Sequence, residues 1–387
     1  MAGASKRLIA YQGWRYIGSR CGTGARALAR SRLRGCIAGP PSRSGSSCPR
    51  KSDAGHTFYC YDARNQLKNA AAAAGCASPT ETYTYDDAGN RLSALAAGAT
   101  RTFAYTIDGQ LSSCANPSCT VAHDSAGRLT QLTDGGTTWT YEYDSEGRLV
   151  KACNASSCAA TPARVEFTYD GEGHRTRIVA TTAGGTATTT DIRYQGDRVA
   201  AEVTGAITRD FTTDEAGVIR KMVVTGGADA GTYHPVWNGH GDLTALWRVN
   251  ADGSLTLAAS VTYTTWGRPS VTTHNGIGDL SFRYLYVGAS DVQWDAELGL
   301  GLLYMHARHY SPVLGRFLQP DPIDAEANLY GYAENSPVTN VDPSGTVCEI
   351  AIFLGPQALL VHVQRSGWSR PQLGAPLRLA HTFIRIR

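Results

Sequence analysis

Residues 138–152 read TWTYEYDSEGRLVKA, and this stretch decides the fold. Trp139, Tyr141 and Tyr143 alternate with Thr138, Thr140 and Glu142, which puts three aromatics on one face of a strand and polar groups on the other. The segment Asp144-Ser145-Glu146-Gly147 then suits a type I turn, closed by a glycine at positive φ and braced by the aspartate on the turn amides. The unit is a β-hairpin.

Working outward, the unit repeats: an aromatic or His, then Asp, two or three variable residues, Gly, and a basic or polar residue before Leu, Ile or Val. Copies run from Tyr85-Asp86 to Leu92, His123-Asp124 to Leu129, Tyr143-Asp144 to Leu149 and Tyr169-Asp170 to Arg175, with looser ones beginning at Tyr61, Tyr105, Asp214 and Trp237. The glycines Gly89, Gly109, Gly127, Gly147 and Gly173 are 20, 18, 20 and 26 residues apart. Such a period marks an array in which no unit buries its apolar face alone. Helical periodicity is scarce, so the expected fold is all-β. Two hairpins also make a four-stranded blade, which leaves a β-propeller as the alternative.

Further along, residues 317–346 read FLQPDPIDAEANLYGYAENSPVTNVDPSGT, setting Asp321-Pro322 and Asp342-Pro343 in a Tyr/Asn/Gly-rich stretch. Proline locks its own φ and keeps the preceding Asp out of helix, so each carboxylate is held in an extended turn. Two carboxylates so displayed are either turn caps or a pair that shares one proton and does acid/base work on a peptide bond. Arg308 and Arg316 in HARHYSPVLGRF are candidate cations for a developing oxyanion, with His306 and His309 behind them.

YDDAGNRL (85–92), YDSEGRLV (143–150) and YDGEGHRT (169–176) resemble YD repeats, and residues 299–346 resemble the core domain that ends the shell of Rhs proteins. The resemblance covers much of 56–275 and all of 282–346. It implies YD strands spiralling into a β-shell around a C-terminal toxin, and a core holding an aspartyl autoprotease that cuts the toxin free. Carried over, Asp321 and Asp342 match the two motif aspartates, and cleavage follows Thr346, before Val347. The chain departs from the pattern at Asp324, where a glycine is usual, and at Thr346, where a hydrophobic residue is usual. The resemblance also implies a toxin cargo, a cognate immunity protein and secretion machinery as partners, and export from the cell. Two other readings stand beside it: a non-catalytic module whose aromatic hairpins bind carbohydrate or neighbouring β-proteins, and a degenerate gene piece without activity.

Charge divides the chain. Its net +3 conceals +10 over residues 1–55 and +4 over 347–387, which leaves −11 for 56–346. An acidic body argues against nucleic-acid binding by that body. The expected organisation is a basic disordered leader (1–55), a YD-repeat segment (56–281), an Rhs-type core (282–346) and a short variable tail (347–387) read as a toxin remnant. No segment has the apolar run of a signal peptide or membrane span.

Ten cysteines are present. Cys114 and Cys119, like Cys153 and Cys158, flank four residues between repeat units and are expected to form local disulfides after export. Zinc fits poorly, since no close CxxC tetrad appears. HExxH, a phosphate-binding GxxxxGK[ST], GxSxG and a strand-helix GxGxxG are all missing, so no cofactor or metal is expected, and catalysis is at most one aspartyl cut of the chain by itself.

Overall fold

The computed structural model describes residues 47–52, 55–159, 162–278, 280–324, 327–354, 357–362 and 385–386. Twenty-one strands, from Ser47–Ser52 to Pro269–Thr273, form one antiparallel sheet. Each pairs with the next in sequence, so the sheet is a continuous meander. Its two end strands do not pair with each other among the described residues, and the sheet is open. Unbroken pairing excludes the propeller alternative, which needs separate four-stranded blades. The first strand lies in the stretch read as a leader, and the rest of 1–55 lies outside the described residues.

The repeat explains the meander residue by residue. In the hairpin of Thr137–Tyr143 and Leu149–Cys153, the Gly147 amide donates to the Asp144 carbonyl at 3.1 Å. Asp144 Oδ1 accepts the amides of Glu146 and Arg148 at 3.0 and 2.9 Å. Gly147 sits at φ +83°, a region that costs any other residue about 1 kcal/mol or more. The register shifts between Glu142 and Tyr143, so Tyr143 leaves the alternation of Trp139 and Tyr141 and becomes half-buried. Its hydroxyl donates at 2.7 Å to the Leu129 carbonyl, where the previous repeat resumes its strand. Tyr85 reaches Leu67, Tyr169 reaches Leu149 and Tyr263 reaches Leu243 in the same way, and Trp237 uses its indole N–H on Ile219. Each aromatic therefore ties its repeat to the one before.

Residues 280–346 pack on the apolar face of this sheet. Leu280, Phe282, Tyr284, Leu285, Leu302 and Leu318 share one core with Trp139, Phe167, Met222 and Leu246. Burying a side chain of this size contributes about 1.5–3 kcal/mol. A four-stranded sheet follows, of Gln293–Asp295, Leu302–Met305, Arg308–Ser311 and Arg316–Phe317, and nearly all of its side chains are buried. Charges cross between the layers: Arg175 of the large sheet pairs with Asp295 at 2.8 Å, and Glu202 with Arg283 at 3.1 Å. Asn340–Val341 pairs with Glu349–Leu354, which pairs with Gln357–His362. Residues 363–384, most of the segment read as a toxin remnant, lie outside the described residues.

Candidate functional site

The two Asp-Pro turns have the same build. The Asp324 amide faces the Asp321 carbonyl at 3.5 Å, and the Gly345 amide faces the Asp342 carbonyl at 3.3 Å. Gly345 sits at φ +66°, where an added Cβ would lie 2.3 Å from the Met305 carbonyl oxygen. Asp324, in the corresponding place, sits at φ +50° and is exposed. The non-glycine residue is thus accommodated with its carboxylate turned to solvent and its backbone left-handed, at a cost of about 1–2 kcal/mol.

Asp342 is buried, at 1% exposure, against the chain that follows it. Its Oδ1 accepts the Thr346 amide at 3.0 Å, the Val347 amide at 3.1 Å and the Ser344 hydroxyl at 3.2 Å. Its Oδ2 faces Arg308 Nη2 at 3.1 Å. Burial pushes the carboxyl above its ordinary range, and the opposing pull of Arg308 and the two amides does not cancel it. Arg308 itself is buried, donates to the Gly345 and Leu329 carbonyls, and lies 3.7 Å above the Phe317 ring.

Asp321 is also buried. Its amide donates to the Leu329 carbonyl at 2.8 Å, the oxygen that Arg308 Nη1 also binds at 3.0 Å. Its Oδ1 accepts the Ile323 amide at 3.0 Å. One carbonyl and one guanidinium therefore link Asp321, Arg308, Asp342 and the Thr346-Val347 peptide.

Arg316 is placed differently from the sequence expectation. Its Nη2 donates to the Gly109 carbonyl at 2.5 Å, and its guanidinium lies 4.7 Å from both the Tyr105 and Tyr330 rings. Its described contacts fasten the core to a repeat turn. His309 lies 3.7 Å from Asp295, and burial holds it well below the usual histidine range. Burial likewise lowers His306, to about 4.

Sequence reasoning missed that Arg316 belongs to a series. Asn335 donates to the Gly89 carbonyl at 2.7 Å, Tyr330 to Gly127 at 2.8 Å, Gln319 to Gly147 at 3.4 Å and Tyr304 to Gly173 at 3.2 Å. With Arg316 on Gly109, five successive repeat glycines each present a carbonyl to a core side chain. The near-regular glycine spacing was a signal for this array; the partners, more than a hundred residues away, carried none.

Cys114–Cys119 and Cys153–Cys158 are disulfide-bonded, with Cα–Cα distances of 4.9 and 5.5 Å. A third bond, Cys60–Cys76, spans a hairpin and its turn, and no short spacing announces it. Among the described residues, Glu172 and His174 of one repeat turn and Asp197 of the turn after Ala187–Gln195 bring three potential metal ligands within 4.8 Å of one another. Two of the three are exposed, and none is near the aspartates in sequence.

Residues 49–189 match the family model of the teneurin YD-shell. The tRNA3(Ser)-specific nuclease WapA of Bacillus spizizenii is 30% identical over 190 residues, 46% of this chain and 7% of that protein. The tRNA(Glu)-specific nuclease WapA of Bacillus subtilis subsp. natto is 36% identical over 120 residues, 29% of this chain and 5% of that protein. The chain thus spans less than a tenth of these relatives. A crystal structure of TcdB2-TccC3-Cdc42 aligns with a TM-score of 0.44 at 16% identity, covering 78% of this chain and 18% of that one. Repeat sheet and packed core together define a fragment of a repeat-built β-shell. Over residues 49–189 the chain is similar to YD-repeat shells, and over part of its length to the WapA proteins.

Proposed function

We propose that this chain is the C-terminal part of a toxin shell whose core cuts itself once, between Thr346 and Val347. The observation that carries the reading is that Asp342 Oδ1 accepts the Val347 amide at 3.1 Å, which seats the carboxyl beside the leaving nitrogen of that cut. Asp342 faces Arg308, and Asp321 is joined to the same guanidinium through the Leu329 carbonyl. In this reading Asp342, whose carboxyl burial raises, takes the role of acid and Asp321 the role of base.

In the reaction Asp321 takes a proton from water, whose oxygen bonds to the Thr346 carbonyl carbon. Arg308, anchored on the neighbouring Gly345 carbonyl, supplies positive charge as the oxyanion develops. Asp342 then gives its proton to the Val347 nitrogen as the C–N bond breaks. The products are a Thr346 carboxyl and a Val347 amine, and the pair still holds one proton, now on Asp321.

The disulfides Cys60–Cys76, Cys114–Cys119 and Cys153–Cys158 support export to an oxidising compartment. The nuclease names of the WapA relatives support a toxin beyond the core; a cognate immunity protein and secretion machinery are the partners this reading calls for. Among the described residues no helix is long and apolar enough to cross a membrane, which says nothing of a β-barrel. The left-handed Asp324 favours a second reading, a non-catalytic shell piece.

Intact mass of the purified chain beside its Asp321→Asn and Asp342→Asn variants decides between them. A wild-type body ending at Thr346 with both variants uncut supports the autoprotease. An uncut wild type removes it and leaves the shell piece.

A further inference from the structure

One repeat turn breaks the charge pattern of the others. The fourth residue after the capping position is Asn90, Arg128, Arg148 or His174 in the regular copies, each facing the capping Asp. In WNGHGDL the cap is Asn238, whose Oδ1 accepts the His240 and Asp242 amides at 2.9 Å, and the fourth residue is an acid, Asp242. The carboxylate has moved from the cap to a place where it serves another group.

That group is His240. Its Nδ1 lies 2.9 Å from Asp242 Oδ1, and its Nε2 lies 3.3 Å from the Asn340 carbonyl oxygen. His240 is 2% exposed and Asp242 is 0% exposed. Asp242 is held in turn by the Val287 amide at 3.1 Å and by Asn238 Nδ2 at 2.8 Å. Both ring nitrogens face acceptor oxygens, Asp242 Oδ1 on one side and the Asn340 carbonyl on the other. The face of the ring is covered by Tyr286 at 5.4 Å, whose hydroxyl binds the Pro337 carbonyl at 2.8 Å.

Asn340 and Val341 form the short strand that leads directly into Asp342. A strand of two residues has little pairing of its own to fix the carboxylate that follows. We infer that the buried His240–Asp242 pair is a positioning element through which the repeat sheet holds the Asp342 strand, so that self-cleavage proceeds only once that repeat has docked on the core. This rests on the autoprotease reading above. His240 touches neither aspartate of the catalytic pair in any described contact and acts through the Asn340 backbone.

The test compares wild type, His240→Ala and His240→Gln in the full chain. In cell-free synthesis, the rate at which the 1–346 fragment appears is expected to fall at least about tenfold for His240→Ala. His240→Gln keeps a donor for the Asn340 carbonyl and is expected to recover most of that loss. Amide exchange is measured in parallel in the uncut Asp342→Asn chain, where adding His240→Ala should speed exchange over 340–347 and leave 143–149 unchanged.

A wild-type cleavage rate in His240→Ala overturns the inference, as does equal slowing by Ala and Gln. Should the wild type prove uncut, the autoprotease reading fails by itself, and exchange still decides the positioning role. Faster exchange confined to 340–347 upholds it, and unchanged exchange overturns it.

Discussion

The repeat turn at Asp170 and the core turn at Asp342 use one device in two surroundings. Each aspartate accepts a backbone amide four residues on, and each faces a basic side chain. Asp170 keeps 36% of its side chain exposed, and Asp342 keeps 1%. At Asp170 the small burial effect is outweighed by the amides of His174 and Glu172 and by the His174 ring, and the carboxyl sits below its ordinary range. At Asp342 burial outweighs the same kinds of partners, and the carboxyl sits above it. The spacing to the accepted amide is shared, and burial is what carries the Asp342 carboxyl above its ordinary range.

Removing the cation should separate the two surroundings most strongly. Arg308→Met leaves the Asp342 carboxyl and the Gly345 and Leu329 carbonyls without their buried donor and is expected to cost about 3 kcal/mol or more in denaturant unfolding. Removal of the partly exposed Arg148 from its turn should cost less than about 1 kcal/mol. Equal losses would break the comparison.

A carboxylate in a third surrounding extends the series. Asp291 Oδ1 is buried with no hydrogen-bond partner among the described residues, and burial, with Glu202 adding to it, pushes the group up to about 8. A raised carboxyl favours the fold fully below its unfolded value near 4 and loses that contribution as pH rises toward 8. Asp291→Asn should therefore match wild type in thermal unfolding at pH 4 and exceed it increasingly up to pH 8. A pH-independent difference would contradict the role given to burial.

The smallest expected effect belongs to the tie between repeats. Tyr143→Phe removes the 2.7 Å bond to the Leu129 carbonyl and should cost about 1 kcal/mol without altering cleavage.

The hairpin was legible because its causes are local: Asp144, Gly147 and the alternation of Trp139 and Tyr141 lie within nine residues. The bulge that frees Tyr143 to reach back fourteen residues leaves no mark in that alternation. The Asp-Pro turns were legible for the same local reason: their prolines, with Gly345 in the second, fix the backbone. What joins them was not. Arg308 and Arg316 are eight residues apart on adjacent short strands, yet one meets Asp342 and the other meets a turn 207 residues upstream. The His240 contact to Asn340 spans 100 residues and depends on how the sheet lays its repeats along the core.

Measuring Asp342→Asn beside Asp144→Asn, by intact mass and thermal unfolding of the same samples, tests the central claim most directly. The account predicts that Asp342→Asn stays folded and uncut, while Asp144→Asn is cut after Thr346 as in wild type and melts lower. A chain that is still cut with Asn at 342, or a wild type that is never cut, would contradict it.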